Sequence, residues 1–85
     1  MKDLLKRLEI AEQRANEADA ALEKNPESEE LEKAFDEAYK AEFKAFEELA
    51  NAIVKISGGQ IEKRTAATMI RAKRAELKNL ITLMA

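Results

Sequence analysis

Only two short places interrupt an otherwise continuous helical pattern, and they fix what this chain can become. One is Asn25-Pro26 within "KNPESEEL"; the other is Ser57-Gly58-Gly59. Asn25 is a good N-cap, Pro26 suits a first helical position that needs no N–H, and Glu27, Glu29 and Glu30 favour the positive end of a helix dipole. At the second joint, glycine can take the left-handed conformation that closes a helix. Three helices are therefore expected, at residues 3–24, 26–57 and 62–84, about 33, 48 and 34 Å long at the standard rise. Joints this short force consecutive helices to run antiparallel. The expected architecture is all-α: one domain over residues 1–85, a three-helix antiparallel bundle with a long central helix.

Composition agrees and removes several functions. Charged residues make up 38% of the chain against two glycines and one proline, which is the profile of long helices. Without cysteine, disulfides, thiolate metal sites and thiol catalysis are excluded, and a cytoplasmic home is the matching expectation. Without histidine, the commonest general base and metal ligand is gone. The hydroxyls of Ser28, Ser57, Thr65, Thr68 and Thr82 then have no imidazole to activate them, so neither enzyme activity nor a cofactor is expected. No apolar run reaches the length of a membrane span, and "MKDLLKRLEIAEQ" is charged throughout, unlike a signal peptide.

Helix one carries Leu4, Leu8, Ala11, Ala15, Ala18 and Leu22 at the alternating four-three spacing of a coiled-coil seam. Its alanine centre leaves space that Phe35, Tyr39, Phe43 and Phe46 of helix two can fill. Counting from the Asn25 turn sets Phe35 near Ala15, Tyr39 near Ala11, and Phe43 and Phe46 near Leu8 and Leu4. The third helix, with Met69, Ile70, Leu77, Leu80 and Met84, should fold back over the rest of helix two. Glu42 and Lys73 interrupt the facing apolar surfaces within about one turn of each other, so an interhelical ion pair is expected there.

Charge is unevenly spread. Residues 1–25 hold five basic and six acidic side chains, residues 26–57 four and nine, and residues 58–85 six and two. The acidic face comprises Glu29, Glu32, Asp36, Glu37, Glu47 and Glu48. These carboxylates lack the loop pattern and central glycine of a calcium site, so no metal is expected. A basic face, Arg64, Arg71, Arg74 and Lys78, spans roughly 80° of the third helix; gripping phosphates with it is the reading for nucleic acid. The tail places Leu80, Ile81, Leu83 and Met84 where they could join two copies in a structural dimer.

The string "ISGGQIEKRTAATMIRA" resembles the signature loop and following helix of ATP-binding-cassette ATPases, a resemblance that would put Ser57, Gly58 and Gly59 against a nucleotide γ-phosphate. It covers residues 56–72 only. No Walker A loop, Walker B strand or parallel sheet accompanies it. Gly58-Gly59-Gln60 likewise resembles the tripeptide of peptide release factors, whose exposed loop and basic, strand-bearing domain have no counterpart here. Both glycines are read as a joint. As a whole, the compact charged chain with its "ISGGQIEKRTAATMIRAKRAEL" ending is similar in style to small phage and mobile-element accessory proteins, anti-CRISPR inhibitors among them. That resemblance implies a non-enzymatic module that blocks a larger partner such as a host nuclease through charged helix faces.

Overall fold

The computed structural model describes the backbone of residues 1–84 and the side chains of residues 1–83. Every regular element is helical: α1 (Lys2–Lys24), α2 (Glu29–Ile56), α3 (Lys63–Ala72) and α4 (Arg74–Met84). The all-α expectation holds, but the described residues form four helices rather than three, because the expected third helix breaks at Lys73. The molecule is elongated, 46 × 20 × 19 Å, since α2 alone runs about 42 Å.

The first joint differs from expectation in a way that moves everything after it. Asn25 ends α1, its N–H donating to the carbonyls of Ala21 and Leu22. Pro26 takes the corner of a turn closed by Ser28 N–H to Asn25 C=O at 3.1 Å, a position its fixed φ suits. Ser28 is the actual N-cap: its hydroxyl accepts from Leu31 N–H at 3.3 Å, and Glu29, Glu30 and Glu32 occupy the first turn. Serine and asparagine cap comparably well; proline decides between them by taking the turn. Ser28→Ala is expected to cost about 1 kcal/mol, measured as a lower urea midpoint at unchanged slope.

Because α2 begins at residue 29 instead of 26, it slides along α1. Arg7 now reaches Glu48 at 3.9 Å. The α2 seam is Leu31, Phe35, Ala38, Glu42, Ala45, Leu49 and Ala52, every member at least half-buried and spaced four-three throughout. Ala11 and Ala15 of α1 are buried opposite it. Alanines on both helices allow close approach there, and the seam passes Tyr39 and Phe43 by. The expected seating of Tyr39 and Phe43 against Ala11 and Leu8 is therefore wrong: the two rings are 58% and 63% exposed. Phe35 is half-buried.

The core lies at one end. Leu5 and Leu8 of α1, Leu49, Ala50 and Ile53 of α2, Ala66 and Ile70 of α3, and Leu77 and Ile81 of α4 form one buried cluster. Phe46, Val54, Ile61 and Met69 pack around it. α3 passes over α2 where Ala50 and Ala66, each 0% exposed, permit close approach. α4 then runs antiparallel to α1: Arg74 meets Glu12, Lys78 meets Glu9, and Ile81 lies by Leu5 and Lys2. Beyond this four-helix end, α1 and α2 continue alone as a two-helix hairpin to the Asn25 turn.

Lys73 sits at the break with φ −129° and ψ 41°. The bend is stabilised by Arg74. Its Nε donates to the Ile70 carbonyl at 2.8 Å, and its two terminal nitrogens hold both Glu12 oxygens at 2.8 and 2.9 Å. A cation at the α3 C-terminus also favours the carbonyl end of that helix dipole.

Candidate protein-docking face

The amides of the glycine joint are spent on closing α2. Ser57 is the C-cap of α2, and Gly58 and Gly59 follow at φ 66° and 84°. Gly58 N–H donates to Lys55 C=O and Gly59 N–H to Val54 C=O, both at 3.1 Å, the paired bonds of a Schellman closure. Ser57 N–H goes to Ile53 C=O, Gln60 N–H to Ser57 C=O, and Ile61 N–H to Ser57 Oγ. Five consecutive N–H groups thus have internal acceptors, and none is left to cradle a phosphate. Open space surrounds both glycines, so replacing either by alanine meets only the strain of positive φ. Gly58→Ala is expected to destabilise by about 1–2 kcal/mol, read by thermal melting.

Two of the four basic-face residues are engaged by carboxylates of α1. Arg74 is bound to Glu12 and 4.0 Å from Glu9, while Lys78 holds Glu9 at 2.8 Å. Arg71 lies over the Phe46 ring, 4.7 Å from its centroid, a favourable cation–π placement. Neighbouring Lys63 is hydrogen-bonded to Glu47. Arg64 and Arg71 are both exposed, and neither has an ion pair among the described residues. The Glu42–Lys73 pair is absent among the described residues: Glu42 is half-buried in the α1–α2 seam, and Lys73 is exposed at the break. The bend that carries Lys73 away from α2 is the physical reason. A mobility-shift series with duplex DNA is expected to show no complex even at low salt, where phosphate contacts are strongest; a shift abolished by Arg64→Ala would restore the basic face.

Charge coupling at Arg74 appears in its partner's proton affinity. The Arg74 hydrogen bonds hold the Glu12 carboxyl below its ordinary value, outweighing the opposing effect of burial, with Arg74 and Lys78 charges adding to the lowering. Arg74 is raised in turn, chiefly by its hydrogen bonds to Glu12. A carboxyl depressed on folding stabilises the fold above its unfolded value, near 4.5, and loses that contribution as pH falls through the lower folded value. The Arg74 contribution is lost only in strong alkali. Acid titration of stability is thus expected to be shallower below the ordinary glutamate range in Glu12→Gln than in the parent chain, as measured by urea midpoints.

The acidic face divides. Glu29, Glu32, Asp36 and Glu37 are exposed; Glu47 and Glu48 are half-buried and paired with Lys63 and Arg7. Among the described residues no group of acidic side chains is arranged to hold a metal ion. At the tail, Ile81 is 3% exposed and belongs to the core, so in the closed chain it is not an open surface. Leu80 and Leu83 are exposed at 44% and 83%, and the Met84 side chain lies outside the described residues. No described helix is long and apolar enough to cross a membrane.

What remains open is aromatic. All four aromatic side chains of the protein, Phe35, Tyr39, Phe43 and Phe46, sit on one flank of α2. Their four-residue steps drift about 40° each from the seam. Phe35 and Tyr39 pack at a centroid distance of 5.2 Å, tilted by 49°, within the favourable range for ring pairs. Phe46 lies under Arg71; Tyr39 and Phe43 stand in the open between that arginine and the Phe35 ring. One turn away, Glu32 and Asp36 neighbour Phe35 and Tyr39 at helical spacing. The sequence did hold a signal for this face. Following the four-three heptad from Leu31 to Ala52 passes through Phe35 and omits Tyr39, Phe43 and Phe46; of these three, only Phe46 reaches the core, from beside it.

Set against known proteins, the chain matches no family model, no curated protein and no solved structure.

Proposed function

We propose that this chain is a non-enzymatic protein-binding module that inhibits or regulates a larger partner, docking through the acidic, aromatic flank of α2. One observation carries the reading: Tyr39 and Phe43 are 58% and 63% exposed while the core is built from leucine, isoleucine and alanine. Exposing the largest apolar side chains costs solubility and returns nothing to folding. Aromatic rings are the residues that most often anchor protein interfaces. Here Phe35 packs against Tyr39, which limits the entropy that ring loses on docking.

The partner that fits has a basic groove with apolar recesses. Rings entering recesses while Glu29, Glu32 and Asp36 meet cations would occupy a site shaped for bases and phosphates. A phage-type inhibitor of a nuclease or CRISPR effector is the concrete form of this proposal, and a cytoplasmic location follows from it. The test is to add the purified protein to a panel of such effectors, following both nuclease activity and co-elution. Inhibition relieved by Tyr39→Ala with Phe43→Ala, and by Glu32→Lys with Asp36→Lys, supports the reading. Inhibition that survives the ring substitutions but disappears with Arg64→Ala overturns the choice of face.

A further inference from the structure

The bend between α3 and α4 has no cause in its local sequence. Residues 70–76 run Ile, Arg, Ala, Lys, Arg, Ala, Glu, without glycine or proline and with helix formers throughout. The buried residues on either side also keep one phase. Laid on a single helix at 100° per residue, Ala66, Ile70, Leu77 and Ile81 fall within about 60°. A break written into the sequence would bring a breaker or a reset of that phase, and neither occurs. The bend is held instead from outside, by the Arg74 bonds to Ile70 and Glu12, the Lys78–Glu9 pair, and burial of Leu77 and Ile81.

We propose that α4 exchanges between two copies of this chain, with Lys73 as the hinge. When Lys73 becomes helical, residues 63–84 form one straight rod of about 33 Å, and α4 leaves its own α1. The surface it uncovers, Leu5 and Leu8 with Glu9 and Glu12 beside them, already fits α4 in shape and charge. The occupant that restores every lost contact is therefore the α4 of a second copy. A reciprocal exchange keeps the core and both ion pairs and adds the helical hydrogen bonds missing at the bend. Only the freedom of two separate molecules is lost, so concentration favours the exchanged dimer. The aromatic flank of α2 takes no part, which makes this inference independent of the proposed function.

Two cysteine variants read the exchange directly, since the chain has no cysteine of its own. Glu9→Cys and Lys78→Cys, each on a differently tagged full chain, are mixed at high concentration and treated with a short bis-maleimide. The Lys78–Glu9 contact is 2.8 Å in the closed chain, so a cross-link between the two tags forms only if α4 has crossed. The expected result is a heterodimer whose yield rises with concentration, increases with Arg74→Ala, and falls several-fold with Lys73→Gly, which disfavours the straight helix. Circular dichroism confirms that each variant remains folded. Sedimentation as a monomer up to millimolar concentration, with no cross-link between tags, overturns the exchange. A dimer that cross-links through Tyr39→Cys on both chains, and not between residues 9 and 78, equally overturns it.

Discussion

Leu49→Ala is expected to destabilise the protein by about 2–5 kcal/mol, the range for truncating a fully buried leucine. Leu49 is 0% exposed at the centre of the single core, where α2 meets α1 and the α3–α4 pair. Its neighbours Ala50 and Ala66 are already small and equally buried, so no nearby side chain can swing in to fill the space. A domain of this length has roughly 4–13 kcal/mol of total stability. The substitution therefore removes a large share of it, and at the lower end leaves a chain mostly unfolded at room temperature. Urea denaturation followed by circular dichroism measures the loss. Leu83→Ala, at a site 83% exposed, is the matched control and should stay within about 0.5 kcal/mol of the parent.

The opposite pattern is expected for the rings. Tyr39→Ala with Phe43→Ala should leave the urea midpoint nearly unchanged, since neither ring belongs to the core cluster. The same pair should weaken partner binding by two or more orders of magnitude, because aromatic anchors at the centre of an interface are each worth about 2 kcal/mol or more. Isothermal calorimetry against an effector that the parent chain inhibits gives the number. Separation of the two effects is the point: a core residue loses stability and binding together, whereas a docking residue loses binding alone.

Much of the fold is legible in the sequence, and the exceptions have physical reasons. The heptad of α1 and the glycine closure after Ile56 are local features, written in spacing and in positive φ, and both appear where the residues place them. The start of α2 depends on a contest between two capping residues of similar strength, settled when Pro26 takes the turn and leaves the cap to Ser28. That shift of three residues slides the α1–α2 register and turns alanine toward alanine. The bend at Lys73 is invisible locally because its cause is distant: Arg74 finds Glu12, 62 positions away in the chain.

The candidate site follows the same division. The acidic residues Glu29, Glu32 and Asp36 are exposed as patterning suggests. Half of the basic face is neutralised because Arg74 and Lys78 turn toward α1 carboxylates, a pairing that exists only once α4 has folded back. Tyr39 and Phe43 could be read as surface rings from the heptad that bypasses them, but large apolar side chains invite assignment to a core. Here the buried core is aliphatic and begins only past Phe43, with Phe46 packed at its edge.

Tyr39 is the protein's one tyrosine and there is no tryptophan, so intrinsic fluorescence reports on that single ring. Acrylamide quenching, compared between native protein and protein unfolded in urea, asks directly whether the aromatic flank of α2 is open to solvent. Nearly equal quenching in the two states is the predicted result. A native tyrosine strongly shielded from quencher would put the ring in the core and remove the proposed docking face.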